Sequence, residues 1–179
     1  MATLIKDRRL VADTWRLLDE PADRLLVTAE DGLLPDLPDG PLLVPLRLWR
    51  LRRDDLLERG SGAGVWLAAD AEPGPLAADL ARLDVIAVRF ATFSDGRGYS
   101  LARLLRERHG YRGELRAIGE VRRDQLYYLA ACGFDAFALP AGEDPRAALA
   151  AFDDFSETYQ ASVARPDPLF RRRLAGAHA

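Results

Sequence analysis

Short apolar runs and helical periodicities alternate along most of this chain. Thr3 to Ile5 and Arg9 to Val11 flank Lys6-Asp7-Arg8, a pattern that predicts a small hairpin or a strand with a turn. Leu25 to Ala29 reads as another short strand. Glu30 to Pro41 reads as a loop, because its prolines and glycines leave little for a ladder or a helix. From Pro41 onward the order is strand, turn, helix, repeated. Strands are predicted over Leu42–Leu46, Gly64–Ala69, Val85–Ala91, Glu114–Gly119 and Phe134–Leu139. Helices are predicted over Leu48–Arg59, Leu76–Leu83, Tyr99–His109, Asp124–Cys132 and Pro145 to about Ala161.

Strands separated by helices pair in parallel, because each return crossover must carry a helix. The fold class is therefore α/β, with about five parallel βα units. They form an open three-layer sheet or an incomplete barrel, preceded by a short irregular β-containing N-terminal extension. Five units are too few for a closed eight-unit barrel. The strands read as apolar on both faces, as expected where helices cover both sides. Residues 1–40 form the extension, 41–161 the βα-repeat domain, and 162–179 a flexible tail. In that tail Phe170 and Arg171-Arg172-Arg173 read either as a docking arm or as a solvated end.

Composition narrows the chemistry. At 179 residues the chain is long enough to bury a core without covalent staples, and Cys132, the one cysteine, excludes an intrachain disulfide or a Cys-x-x-Cys pair. Two histidines offer little for a zinc or haem site, and no cofactor is expected. Lys6 is the one lysine, against 24 arginines. The net charge of −3 argues against non-specific nucleic-acid binding. With no apolar signal core or spanning run, the expected location is cytoplasmic, away from membranes.

In parallel α/β folds ligands sit at the carboxyl ends of strands, where helix N-termini present backbone N–H groups. Two polar loops fall there. Thr92 to Ser100 follows the third strand of the repeat and contains Asp95, Arg97, Gly98, Tyr99 and Ser100, with Arg103 one turn further on. Glu120 to Gln125 follows the fourth strand and contains Glu120, Arg123, Asp124 and Gln125. If the two strands are neighbours, the loops share one edge and their arginines suit an anion or an acidic surface. The same residues also serve plain capping, turn and salt-bridge chemistry. Gly60 to Gly64 precedes a strand, so it fails as a dinucleotide fingerprint and reads as a turn. Cys132 and His109 read as structural, Trp49 and Trp66 as core, and Tyr127 and Tyr128 face different ways.

The run Phe93 to Arg108 (FSDGRGYSLARLLRER), with Gly113 to Leu126 and Cys132 to Phe137, resembles a bacterial family of unknown function. That family is typically encoded beside the assimilatory sulfite or nitrite reductase, and its members often carry an oxidoreductase label. The resemblance implies an accessory protein of sulfate and sulfite reduction that binds the sulfite reductase haemoprotein, and a small sulfur oxyanion is a second expected ligand. The alternatives are a small enzyme acting on an anionic sulfur metabolite, with Glu120 or Asp124 as acid/base, or a structural assembly factor.

Overall fold

The computed structural model describes residues 3–19, 36–155 and 157–176. It is a mixed α/β fold around one eight-stranded, mostly parallel sheet. The strands are β1 (Thr3–Lys6), β2 (Arg9–Ala12), β3 (Arg16–Leu17), β4 (Leu42–Pro45), β5 (Ala63–Ala68), β6 (Val85–Phe90), β7 (Glu114–Gly119) and β8 (Ala136–Phe137). Their order is β2-β1-β8-β7-β6-β5-β4-β3. Strands β3 to β8 run parallel, while β1 is antiparallel to both β2 and β8. The described helices are α1 (Leu46–Glu58), α2 (Arg97–Arg103), α3 (Leu126–Ala131), α4 (Pro145–Ala148) and α5 (Leu169–Gly176). The predicted strand over Leu25–Ala29 and most of the predicted loop lie outside the described residues.

The order of the strands explains the shape of the sheet. β2 and β3 are its two edges, yet only Asp13, Thr14 and Trp15 connect them. Four Cα steps span at most about 14 Å, whereas the edge strands of a flat eight-stranded sheet lie about 34 Å apart. So short a chord forces the sheet to curl, and it forms a half barrel with the Asp13–Trp15 strap across its open side.

Alternation along each strand then gives two unequal faces. Val44, Val65, Leu67, Ile86, Val88, Phe90, Leu115, Ala117 and Phe137 point outward into the main core. There they meet Leu48, Trp49 and Leu56 of α1, Leu101 of α2, and Leu126 and Leu129 of α3. Each such side chain contributes roughly 1.5–3 kcal/mol by leaving water. Leu43, Trp66, Val85, Ala87 and Ile118 form a smaller cluster on the inner face, closed by Trp15 and Ala138.

Several predicted elements take another form. The segment expected as a helix over Leu76–Leu83 is two 3-10 turns, Gly74–Leu76 and Leu80–Arg82. Leu76, Leu80 and Leu83 are buried at the predicted spacing. Between the turns the Asp79 carboxylate is drawn inward to Trp49 Nε1 (3.1 Å) and Arg53 Nη2 (2.6 Å). The last helix of the repeat ends as a 3-10 stretch at Asp153 instead of near Ala161. There Arg8 Nη2 donates to the Phe152 carbonyl (3.1 Å), a group that a continuing helix would use. The fifth predicted strand narrows to Ala136–Phe137, since Pro140 can donate no ladder bond beyond it. Strand β7 is not apolar on both faces: its inner face carries Glu114 and Arg116, both buried.

Candidate functional site

Strands β6 and β7 are neighbours, in register from Val85↔Glu114 to Phe90↔Gly119, so the two polar loops leave the same edge side by side. Gly119 makes the exit possible. Its φ is +92°, and a Cβ there would lie 2.3 Å from the Phe90 carbonyl oxygen. With the turn made, the Glu120 N–H donates to that same oxygen at 2.9 Å.

Gln125, only 7% exposed, fastens the loops together. Its Oε1 accepts from the Arg122 N–H (2.9 Å), while Nε2 donates to the Phe93 carbonyl (3.1 Å) and to Tyr99 Oη (3.2 Å). Tyr99 packs edge-on against Phe90 and lies 5.2 Å from the Tyr128 ring. Burial raises the Tyr99 phenol above its ordinary pKa, so the hydroxyl stays protonated at neutral pH. Gly98 lets α2 approach this cluster, since a Cβ on it would meet the Phe90 ring at 2.6 Å. Phe93 and Tyr128 remain exposed beside the stapled loops.

Each predicted arginine has its own carboxylate. Arg97 clasps Asp95 through Nε (2.9 Å) and Nη2 (2.8 Å) and reaches Asp70 through Nη1 (2.9 Å). The Asp95 carboxylate also accepts the Arg97 N–H, so Asp95 serves the turn before α2, and Arg97 holds its carboxyl below the usual range. Arg103 pairs with Glu107 one turn along (2.9 Å), and Arg123 with Asp154 (2.7 Å). These are three separate pairs with exposed guanidinium groups, so the arginines are not pooled into one anion cradle. Ser100, Glu120 and Asp124 lie exposed at the same edge. The sequence-predicted residues that come together are Tyr99 with Gln125 and Asp95 with Arg97.

A bacterial protein family of unknown function, DUF934, matches residues 64–170. The chain belongs to this family. The DUF934 match takes in both loops, the Gln125 staple and, but for Ala63, strands β5 to β8. The Asp13–Trp15 strap and strands β1 to β4 lie outside the DUF934 segment. No curated protein matches the chain significantly. Among the described residues no group of His, Cys, Asp and Glu side chains could hold a metal ion, and no helix is long and apolar enough to cross a membrane.

Sequence reasoning missed the polar group on the inner face of the half barrel. Arg116 Nη1 donates to both oxygens of Asp13 (3.0 Å each), and Nε donates to Glu114 Oε1 (2.7 Å). Lys6 Nζ lies 2.8 Å from Glu114 Oε2, which raises the lysine pKa. The signal was present: Glu114 and Arg116 stand two apart in an apolar strand and so share one face. Nearby, Arg89 lies over the Trp66 ring (4.3 Å) and bonds Asp19.

Proposed function

We propose that this DUF934 protein is an accessory binding protein of assimilatory sulfate and sulfite reduction. It docks on the sulfite reductase haemoprotein through the paired loops 92–100 and 120–125. The observation that carries the docking reading is the exposure of Phe93 (46%) and Tyr128 (61%) on either side of the Gln125 staple. Aromatic side chains held on a rigid base and ringed by arginines have the composition of a binding hot spot. The Arg123–Asp154 pair at this edge is largely exposed and exchanges at small cost, so an acidic partner side chain or a sulfur oxyanion can take the guanidinium from Asp154. The haemoprotein as partner rests on the family resemblance. We read Leu42 to Asp153 as five βα units, one of whose crossovers is built of 3-10 turns, which present these loops from a fixed edge.

The test is co-purification and crosslinking with the haemoprotein under reducing conditions, with and without sulfite. The expected result is a complex that a Phe93→Ser, Tyr128→Ser double variant weakens at least tenfold while its circular dichroism stays unchanged. Absence of a complex in both conditions overturns the reading.

A further inference from the structure

Residues 157–176 hold four arginines against Glu157 and Asp167, in a chain whose net charge is −3. The segment is not a loose end. The Val163 N–H donates to the Ala131 carbonyl (3.0 Å), Ser162 and Arg165 close a turn, and the Leu169 N–H donates to the Tyr159 carbonyl (3.2 Å). That last bond sets the start of α5 against Tyr159 and gives the helix a fixed place on the surface.

Two features of this surface stand open. The first is apolar. Phe170 and Leu174 lie one turn apart and share a face of α5. With Tyr159 they surround a hollow of about 310 Å³, whose lining Leu169 and Arg173 complete. Phe170, Leu174 and Tyr159 are exposed at 49%, 61% and 67%.

The second feature is a shortage of acceptors. Arg171 and Arg173 join no ion pair among the described residues, and Arg171 only lies over the Phe170 ring (5.9 Å). Glu157 is shared, 2.7 Å from Arg172 Nη2 and 4.0 Å from Arg165 Nη1. Arg172 is held at that one corner, and its covered Nε has no acceptor. Arg172, with Arg165 and Arg173, holds the Glu157 carboxyl below the usual carboxylate range. A carboxylate is the group that this surface favours.

Charge and shape select the occupant. A second copy packed face to face would bring two Arg171-Arg172-Arg173 runs together, which like charge opposes. An anionic bilayer takes up apolar side chains that protrude from a helix, whereas Phe170 and Leu174 frame a hollow that receives one. An acidic segment with one large apolar residue meets both the hollow and the arginines.

We propose that α5 and Tyr159 form a docking site for an acidic segment of a partner protein, anchored by one large apolar side chain. That side chain enters the hollow between Tyr159, Phe170 and Leu174, and flanking carboxylates pair with Arg171 and Arg173. The site uses no residue of loops 92–100 and 120–125 and does not rest on the haemoprotein as partner.

The test uses the full chain and a short amphipathic helical peptide with leucine on one face and glutamate on the other. The same peptide with glutamine, or with lysine, in place of glutamate serves as control. Heteronuclear NMR reads the Tyr159 and Phe170 ring signals and the Leu174 methyls. The glutamate peptide is expected to shift them saturably at about 0.15 M salt, with both controls at least tenfold weaker. An Arg171→Gln, Arg173→Gln variant and a Phe170→Ser, Leu174→Ser variant should each weaken binding at least tenfold at unchanged Tm. Absent shifts, equal binding of the glutamine peptide, or undiminished binding by either folded variant overturns the proposal. So does tighter binding to vesicles of one-third phosphatidylserine than to the glutamate peptide, which assigns the face to a lipid surface. A dimer in sedimentation equilibrium that the Phe170→Ser, Leu174→Ser variant loses assigns it to a second copy, and overturns the proposal too.

Discussion

Asp13 holds Arg116 with both carboxylate oxygens 3.0 Å from Nη1, and so ties a three-residue strap to the middle of the sheet it crosses. The guanidinium is almost wholly buried. Asp13→Ala should therefore cost about 3 kcal/mol, most of it from leaving a buried charge half-paired. Arg116→Met in the same background should recover part of that loss. Urea denaturation of the two single variants and the double variant checks this, and strict additivity would show that the pair is not coupled.

Phe90 meets two glycines in different ways, and the difference is measurable. Gly98 faces the Phe90 ring, whereas Gly119 faces the Phe90 backbone oxygen with φ at +92°. Gly98→Ala should be destabilising and largely rescued by Phe90→Leu, because a side chain can shrink. Gly119→Ala should lose at least about 2 kcal/mol, and no substitution at Phe90 should restore it. Thermal melts of the four variants separate the two cases.

Asp79 predicts a pH dependence. Hydrogen bonds from Arg53 and then Trp49 hold its carboxyl below the usual carboxylate range, against the opposing effect of burial. A group whose pKa is depressed on folding contributes stability above its unfolded pKa and loses it as pH falls through the lower folded value. The wild-type urea midpoint should therefore drop on acidification below about pH 4. Asp79→Asn should flatten that drop and cost about 2 kcal/mol at neutral pH. Trp49, whose indole N–H bonds Asp79, reports the transition by fluorescence.

The loop edge was legible because it follows from local signals. Strands separated by helical periodicities must run parallel, and parallel neighbours put Thr92 and Glu120 on one rim. The hairpin was legible too, with Asp7 and Arg8 taking the positive φ values its turn requires. The inner face was not. Asp13-Thr14-Trp15 has no periodicity, and nothing local says that β2 and β3 are opposite edges of one sheet. Leu76, Leu80 and Leu83 show the reverse failure: a helical spacing of buried residues survives where Asp79, bonded inward, interrupts the helix. The arginines were found, but their partners Asp70, Glu107 and Asp154 were chosen by tertiary geometry.

The strap also bears on the order of assembly. Residues 3–17 supply β1, β2 and β3, and so both edges of the sheet, yet the β1–β2 hairpin must wait for β8, about 130 residues later, before it can join the parallel strands. The central parallel strands are joined by short crossovers and can form first. The N-terminal segment then closes the sheet in a late, long-range step, the class of contact that slows folding most. Until it does, β4 and β8 each present an unpaired edge, so the same fifteen residues that shape the half barrel also guard the chain against edge-to-edge aggregation.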